Sequence, residues 1–242
     1  QYTVEEFLLF AKEENVLPDV LCWHVWQEER FLHEVERARA FMREHDIYIE
    51  RISINEILLY NEFMKPGIIA WYFTDVEFSN VENAMRACWP EPSGKSTCRL
   101  HNLGGLVTED FRPRSAWWVY KAYADVSGRL VTTFGDEWVN GIAGKDANDG
   151  QVKLLLGKRD GVEADVVVLL DKLGDLKYLT DENGQAYLTV EYIPNSEWEI
   201  LEKPRLIYQG KVSFEDRLAV KLPDFRKYDA YVVTVSKEKK RL

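Results

Sequence analysis

A change of rhythm at Gly128 constrains this chain more than any other feature of its sequence. Up to that point helical and strand-like patterns alternate; beyond it only short strand-like runs appear, parted by turn signals. Residues 4–12 carry an amphipathic helical pattern, with Thr3 placed as its cap and Glu6 three residues later. Pro18 closes that region. Residues 19–24 are then a nearly continuous apolar run, the pattern of a strand buried on both faces. Residues 28–45 predict a long helix with Phe31, Val35, Ala38 and Met42 along one side. A strand is expected over 48–56, a helix opened by Pro66 over 66–78, and a third strand over 81–89. After a Gly/Pro/Ser-rich loop over 90–112, an aromatic helix over 113–126 is stopped by Gly128. Such alternation predicts a parallel sheet covered by helices, either part of a (β/α)8 barrel or a doubly wound sheet.

Past Gly128, strand-like runs fall at 151–156, 162–170, 186–193, 205–209, 211–214, 217–222 and 230–235. Asn148-Asp149-Gly150, Arg159-Asp160-Gly161, Glu182-Asn183-Gly184 and Pro223-Asp224 separate them. Short strands at this spacing predict an antiparallel β-sandwich. The expected fold is therefore α/β plus all-β, divided into residues 1–128 and 129–242.

Composition narrows the classes of partner. A formal net charge of −10 argues against a chain that grips nucleic acid through its phosphates. No apolar run approaches the roughly 18 residues of a membrane span. Gln1 leads straight into a helical pattern without a targeting leader, so the expectation is a removed leader or a start inside a larger protein. Cys22, Cys88 and Cys98 are too few for a disulfide framework and lack metal-ligand spacing; Cys88 and Cys98 are left as either bridged or free. Gly104-Gly105 is not framed by a strand and a helix, so it is no phosphate cradle. Neither a metal nor a cofactor is expected.

The candidate chemistry lies at strand ends. Glu56 closes the predicted strand over 48–56, and in a parallel barrel catalytic groups project from that end. A carboxylate there, with Tyr60 in the following loop, suits glycoside hydrolysis, which needs two carboxyl groups. The competing reading is an ordinary surface ion pair. Trp23-His24 and Trp89 also end predicted strands. An indole can form a platform for a sugar ring, and an imidazole can hydrogen-bond a hydroxyl or orient a carboxylate. Core packing is the alternative for each. Eight Trp, 12 Tyr and 11 Phe give enough aromatic surface for both a core and a sugar cleft. Trp117, Trp118, Tyr120 and Tyr123 lie at helical spacings and are read as core, as are Trp138 and Trp198 in the second half.

Several segments in series carry a family resemblance. They are Ile52-Ser53-Ile54-Asn55-Glu56, Lys65-Pro66-Gly67-Ile68-Ile69-Ala70-Trp71-Tyr72, Arg86-Ala87-Cys88-Trp89, Gly105-Leu106, and Pro113-Arg114-Ser115-Ala116-Trp117-Trp118-Val119-Tyr120-Lys121-Ala122-Tyr123-Ala124. Together they resemble the C-terminal part of clan A glycoside hydrolases, nearest to the family 39-like group of β-xylosidases and α-L-iduronidases. The resemblance spans nearly the whole chain. It implies the C-terminal portion of a (β/α)8 TIM barrel followed by an antiparallel β-sandwich.

On that resemblance the strands over 20–24, 51–56 and 81–89 are the sixth to eighth of the barrel. Glu56 matches the family's nucleophile in a retaining double displacement, while Trp23, His24, Tyr60 and Trp89 shape the sugar subsite. The acid/base is an Asn-Glu pair on strand four, which has no counterpart in these 242 residues. Asn55-Glu56 is itself an Asn-Glu pair, but strand four would need four more strand–helix units after it, and one follows. The implied partners are a carbohydrate substrate and a missing N-terminal barrel fragment or second subunit, with no nucleic acid and no membrane. A secreted or periplasmic location follows from the same likeness. A non-catalytic, glycan-binding or structural remnant of such an enzyme is the alternative.

Overall fold

The computed structural model describes residues 3–27, 30–59, 61–86 and 100–242. Contacts divide the chain into two units, residues 1–63 with 72–89, and 64–71 with 90–242.

The first unit opens with α1 (Val4–Glu13). Its N-terminus is closed by reciprocal bonds between Thr3 and Glu6, which satisfy donors that a helix start leaves open. Asn15, with φ of 57°, turns the chain away, a conformation that Asn tolerates better than most side chains. Next come β1 (Val20–Val25), α2 (Phe31–Glu44), β2 (Arg51–Ile57), α3 (Pro66–Ser79) and β3 (Asn83–Arg86). The stripe of Phe31, Val35, Ala38 and Met42 on α2 is buried, as its spacing requires.

The strands form a parallel sheet in the order β1-β2-β3, so β2 is central and β1 and β3 are its edges among the described residues. The expectation that residues 19–24 are buried on both faces is corrected. Leu21 and Val25 are buried while Cys22 and His24 are exposed, because one face of this edge strand is uncovered. Tyr48, expected inside a strand, is 80% exposed and precedes β2. Helix α3 has no charged residue before Asp75 and is buried on all sides through that residue. Residues 64–71 group with the second unit and 72–79 with the first.

The second unit contains α4 (Ser115–Ala124) and two antiparallel sheets. One has six strands in the order β4-β5-β6-β11-β8-β9: Arg129–Val131, Val139–Asp146, Gln151–Lys158, Ala230–Ser236, Gln185–Ile193 and Arg205–Ser213. The other pairs β7 (Ala164–Leu170) with β10 (Leu218–Phe225). A single apolar core takes Leu154, Leu156, Val190 and Val233 from the larger sheet and Val220, Leu222 and Phe225 from the smaller.

Two sequence expectations meet a different structure here. Strands β4 and β5 had no strand signal, because Gly141 and Gly144 interrupt the apolar pattern of β5. A Cβ on Gly141 would stand 2.4 Å from the Leu155 carbonyl oxygen, so close approach to β6 requires the glycine. The runs expected at 205–209 and 211–214 are one strand, β9, continuing through Gly210. By contacts, residues 100–128 group with the antiparallel strands. The Trp118 indole donates to Leu201 O at 2.6 Å, and Arg114 Nε donates to Trp198 O at 2.7 Å, tying α4 and its entry to that unit.

Candidate functional site

The site grows from an irregularity in β2. Trp23 pairs with Ile54, but the next residue of β1, His24, pairs with Glu56. Asn55 is therefore the extra residue of a bulge. Side chains alternate between faces along a strand, so regular pairing would put Ser53 and Asn55 on one face and Ile54 and Glu56 on the other. The extra residue reverses that parity. It sets Glu56 on the face of Cys22, His24 and Ser53, and returns Ile57 to the buried side beside Val25. The Asn55 side-chain oxygen is itself buried, with no hydrogen-bond partner among the described residues.

Among the described residues, two groups meet the Glu56 carboxylate. His24 Nδ1 lies 3.3 Å from Oε2, and the Trp26 indole donates to the same oxygen at 3.2 Å. Neither contact uses Oε1. The His24 and Trp26 rings are 5.5 Å apart at a 48° tilt. The buried Tyr72 hydroxyl donates to the Trp26 carbonyl at 2.7 Å, fixing the backbone just past β1. Tyr72 is held in turn edge-on against the buried Phe31 ring, 5.9 Å away. Glu56 and His24 side chains are 32% and 41% exposed, so the carboxylate is open to a solute from one side.

Of the five sequence candidates, His24 and Glu56 come together. Trp23 is half-buried and points to the opposite face of β1 by alternation. A cavity of about 580 Å3 has Trp23, His24, Trp26, Gln27, Arg30 and Glu34 among its walls, while Glu56 is not one of them. Tyr60 and Trp89 lie outside the described residues, as do Cys88 and Cys98. Trp26 is the residue that sequence reasoning missed. Its signal was parity: two positions beyond His24, it continues the face that Trp23 leaves. Among the described residues no cluster of three or more His, Cys, Asp or Glu side chains is placed to hold a metal.

Comparison with known protein families gives no match. A search of characterised proteins does give relatives. The chain is 25% identical over 170 residues to a 3-O-β-L-arabinopyranosyl-α-L-arabinofuranosidase of Bifidobacterium pseudocatenulatum, covering 66% of this chain and 16% of that protein. A second relative, a 3-O-α-D-galactosyl-α-L-arabinofuranosidase of Bifidobacterium longum subsp. longum, is 24% identical over 156 residues. These relatives are glycoside hydrolases. The chain spans only 16% and 13% of their lengths.

Among solved structures, a protein from Neocallimastix frontalis superposes with a TM-score of 0.82 at 23% identity, over 98% of this chain and 59% of that one. A monomeric β-xylosidase of Caulobacter crescentus follows the same fold, with a TM-score of 0.63 at 13% identity, over 98% of this chain and 60% of that one. Both superpositions run through the mixed helix-and-sheet part and the antiparallel sheets.

Proposed function

We propose that this chain carries the nucleophile of a retaining glycosidase, and that Glu56 is that nucleophile. The observation that supports it best is the bulge at Asn55, which turns Glu56 toward His24 and Trp26 at the carboxyl end of the central parallel strand. On this reading the parallel unit is the C-terminal portion of a (β/α)8 barrel, and the antiparallel unit is an accessory β-sandwich.

In the first step Glu56 Oε1 attacks the anomeric carbon. The bond to the leaving oxygen breaks, and a carboxylic acid supplies that oxygen with a proton. In the second step the resulting carboxylate takes a proton from water, whose oxygen displaces Glu56. Trp26 holds Oε2 throughout, so that Oε1 presents one lone pair to the sugar. His24 stands beside the reacting sugar to hydrogen-bond a hydroxyl. The acid/base carboxyl is supplied by a further part of the barrel, in the same polypeptide or a second subunit. Supporting this are the outer edge of β1, unpaired among the described residues, which a further parallel strand would cover, and the 59% share of the Neocallimastix chain that is matched.

The names of the relatives make arabinofuranosides the first substrates to assay. Treating the full-length protein with an activated 2-fluoro arabinofuranoside should leave a covalent sugar on the peptide containing Glu56. A label on a different carboxylate overturns the assignment. Trp26→Phe keeps the ring but removes the donor to Oε2. Its kcat/KM is expected to fall about tenfold, the cost of one hydrogen bond to a charged group. Steady-state kinetics of the folded variant measure it, and an unchanged value denies Trp26 the role.

A further inference from the structure

The bulge at Asn55 acts on both neighbours of β2. Ile54 pairs with Trp23 on one side and with Ala84 on the other, and Ile57 pairs with Val25 and with Arg86. On each side, Asn55 and Glu56 together face one residue of the adjoining strand, His24 on β1 and Met85 on β3. His24, Glu56 and Met85 therefore stand abreast across three strands, which in a sheet lie about 4.8 Å apart. A hydrogen bond fixes the face. Ser53 Oγ donates to Asn83 Oδ1 at 2.7 Å, so Asn83 lies on the face of Ser53. Met85, two residues further along β3, shares that face, which is the face of Glu56.

Met85 is not a core residue there. Met42 and Met64 are buried, whereas Met85 is 51% exposed. No other large apolar side chain on the three described strands is exposed. The side chains around it on this face, His24, Ser53, Glu56 and Asn83, are polar. A half-exposed thioether gains little from packing on the sheet, but it offers a flexible, polarisable surface to a ligand.

We propose that Met85 forms the apolar wall of the subsite in which Glu56 attacks the sugar, opposite His24. The inference rests on the reading of Glu56 as nucleophile and adds a residue that contacts the reacting ring. The two walls differ in kind. An imidazole donates to or accepts from a hydroxyl, while a thioether is a weak acceptor and no donor. A sugar bound over Glu56 therefore turns a hydroxyl-bearing carbon toward β1 and a C–H edge toward β3.

The test uses the full-length protein and a panel of aryl furanosides and pyranosides. Met85→Gln keeps about the length of the side chain and puts an amide where the thioether stood. Against a C–H edge that amide loses water without gaining a partner. On the panel member that the wild type hydrolyses fastest, KM is expected to rise about tenfold while kcat changes less than about threefold. Such a split marks a contact made equally in the ground and transition states. Met85→Leu keeps the wall apolar and should recover most of the loss. Equal rises of KM in the two variants, a KM unmoved by Met85→Gln, or a loss confined to kcat overturns the wall. Each of these leaves Glu56 as the nucleophile, which the 2-fluoro label tests by itself. A wild-type protein that hydrolyses no member of the panel overturns both readings.

Discussion

On the reading of Glu56 as nucleophile, Glu56→Gln is expected to lower kcat of the full-length protein by about ten-thousandfold or more without lowering its melting temperature. That magnitude is the one expected when a covalent nucleophile is removed. The unchanged stability follows from the surroundings. Glu56 is about one-third exposed, the amide has the same shape as the carboxylate, and its oxygen can still accept from the Trp26 indole. Glu56→Ala goes further by opening space beside His24. A small anion such as azide should then restore part of the turnover on an activated aryl substrate, giving a glycosyl azide of inverted configuration. Near-normal turnover by Glu56→Gln removes the residue from the mechanism, and a collapse of the fold would make it structural. Turnover and melting curves on the same preparations separate these results.

The largest effect on stability is expected at Gly157. The first turn of α3 lies against β6 and the start of β11 with no room for a methyl group on either side. A Cβ on Gly157 would stand 2.2 Å from Gly67 O and 2.8 Å from the Ala70 Cβ, while one on Gly67 would stand 2.3 Å from Lys158 O. Gly67 N donates to Tyr228 O at 2.7 Å, and the Trp71 indole donates to Gly157 O at 3.0 Å. The Arg159 guanidinium then covers the Trp71 ring at 4.1 Å. Overpacking a backbone-to-backbone contact cannot be relieved by a rotamer change, so Gly157→Ala should cost about 2–4 kcal/mol. Gly184→Ala is the control. No atom lies within 4 Å of its Cβ position, and only its φ of 71° opposes the substitution, at about 1 kcal/mol. Urea unfolding of the two variants should rank them in that order; equal midpoints would mean that α3 can move off β6 without loss.

These two sites also show where the sequence is readable. The stripe on α2 is written at helical spacing, and α2 buries those four residues. Strands β6, β8 and β11 are apolar enough to be seen without partners. Strand β5 is not, because its pattern is interrupted by glycines whose purpose appears only when β6 lies against them. The aromatic helix α4 announces that it is buried but not what it packs on. Its loyalty to the antiparallel unit comes from Trp118 and from Arg114 just ahead of it, which reach carbonyls more than 80 residues away. At the site, the sequence places Glu56 and His24 at neighbouring strand ends, but neither Trp26 nor the contact between the two side chains could be read from it. The facing of those side chains depends on one unpaired residue of β2, and nothing in the letters Ile54-Asn55-Glu56 declares a bulge.

That unpaired residue makes the site depend on register. Deleting Asn55 would remove the bulge with its extra residue, and the glutamate, now directly after Ile54, would still stand opposite His24 on the face of Ser53. Pairing Asn55 regularly with His24 would instead carry the carboxylate to the other side of the sheet without changing a letter of the sequence. Register, rather than residue identity, is what sequences of this kind must keep to retain the site.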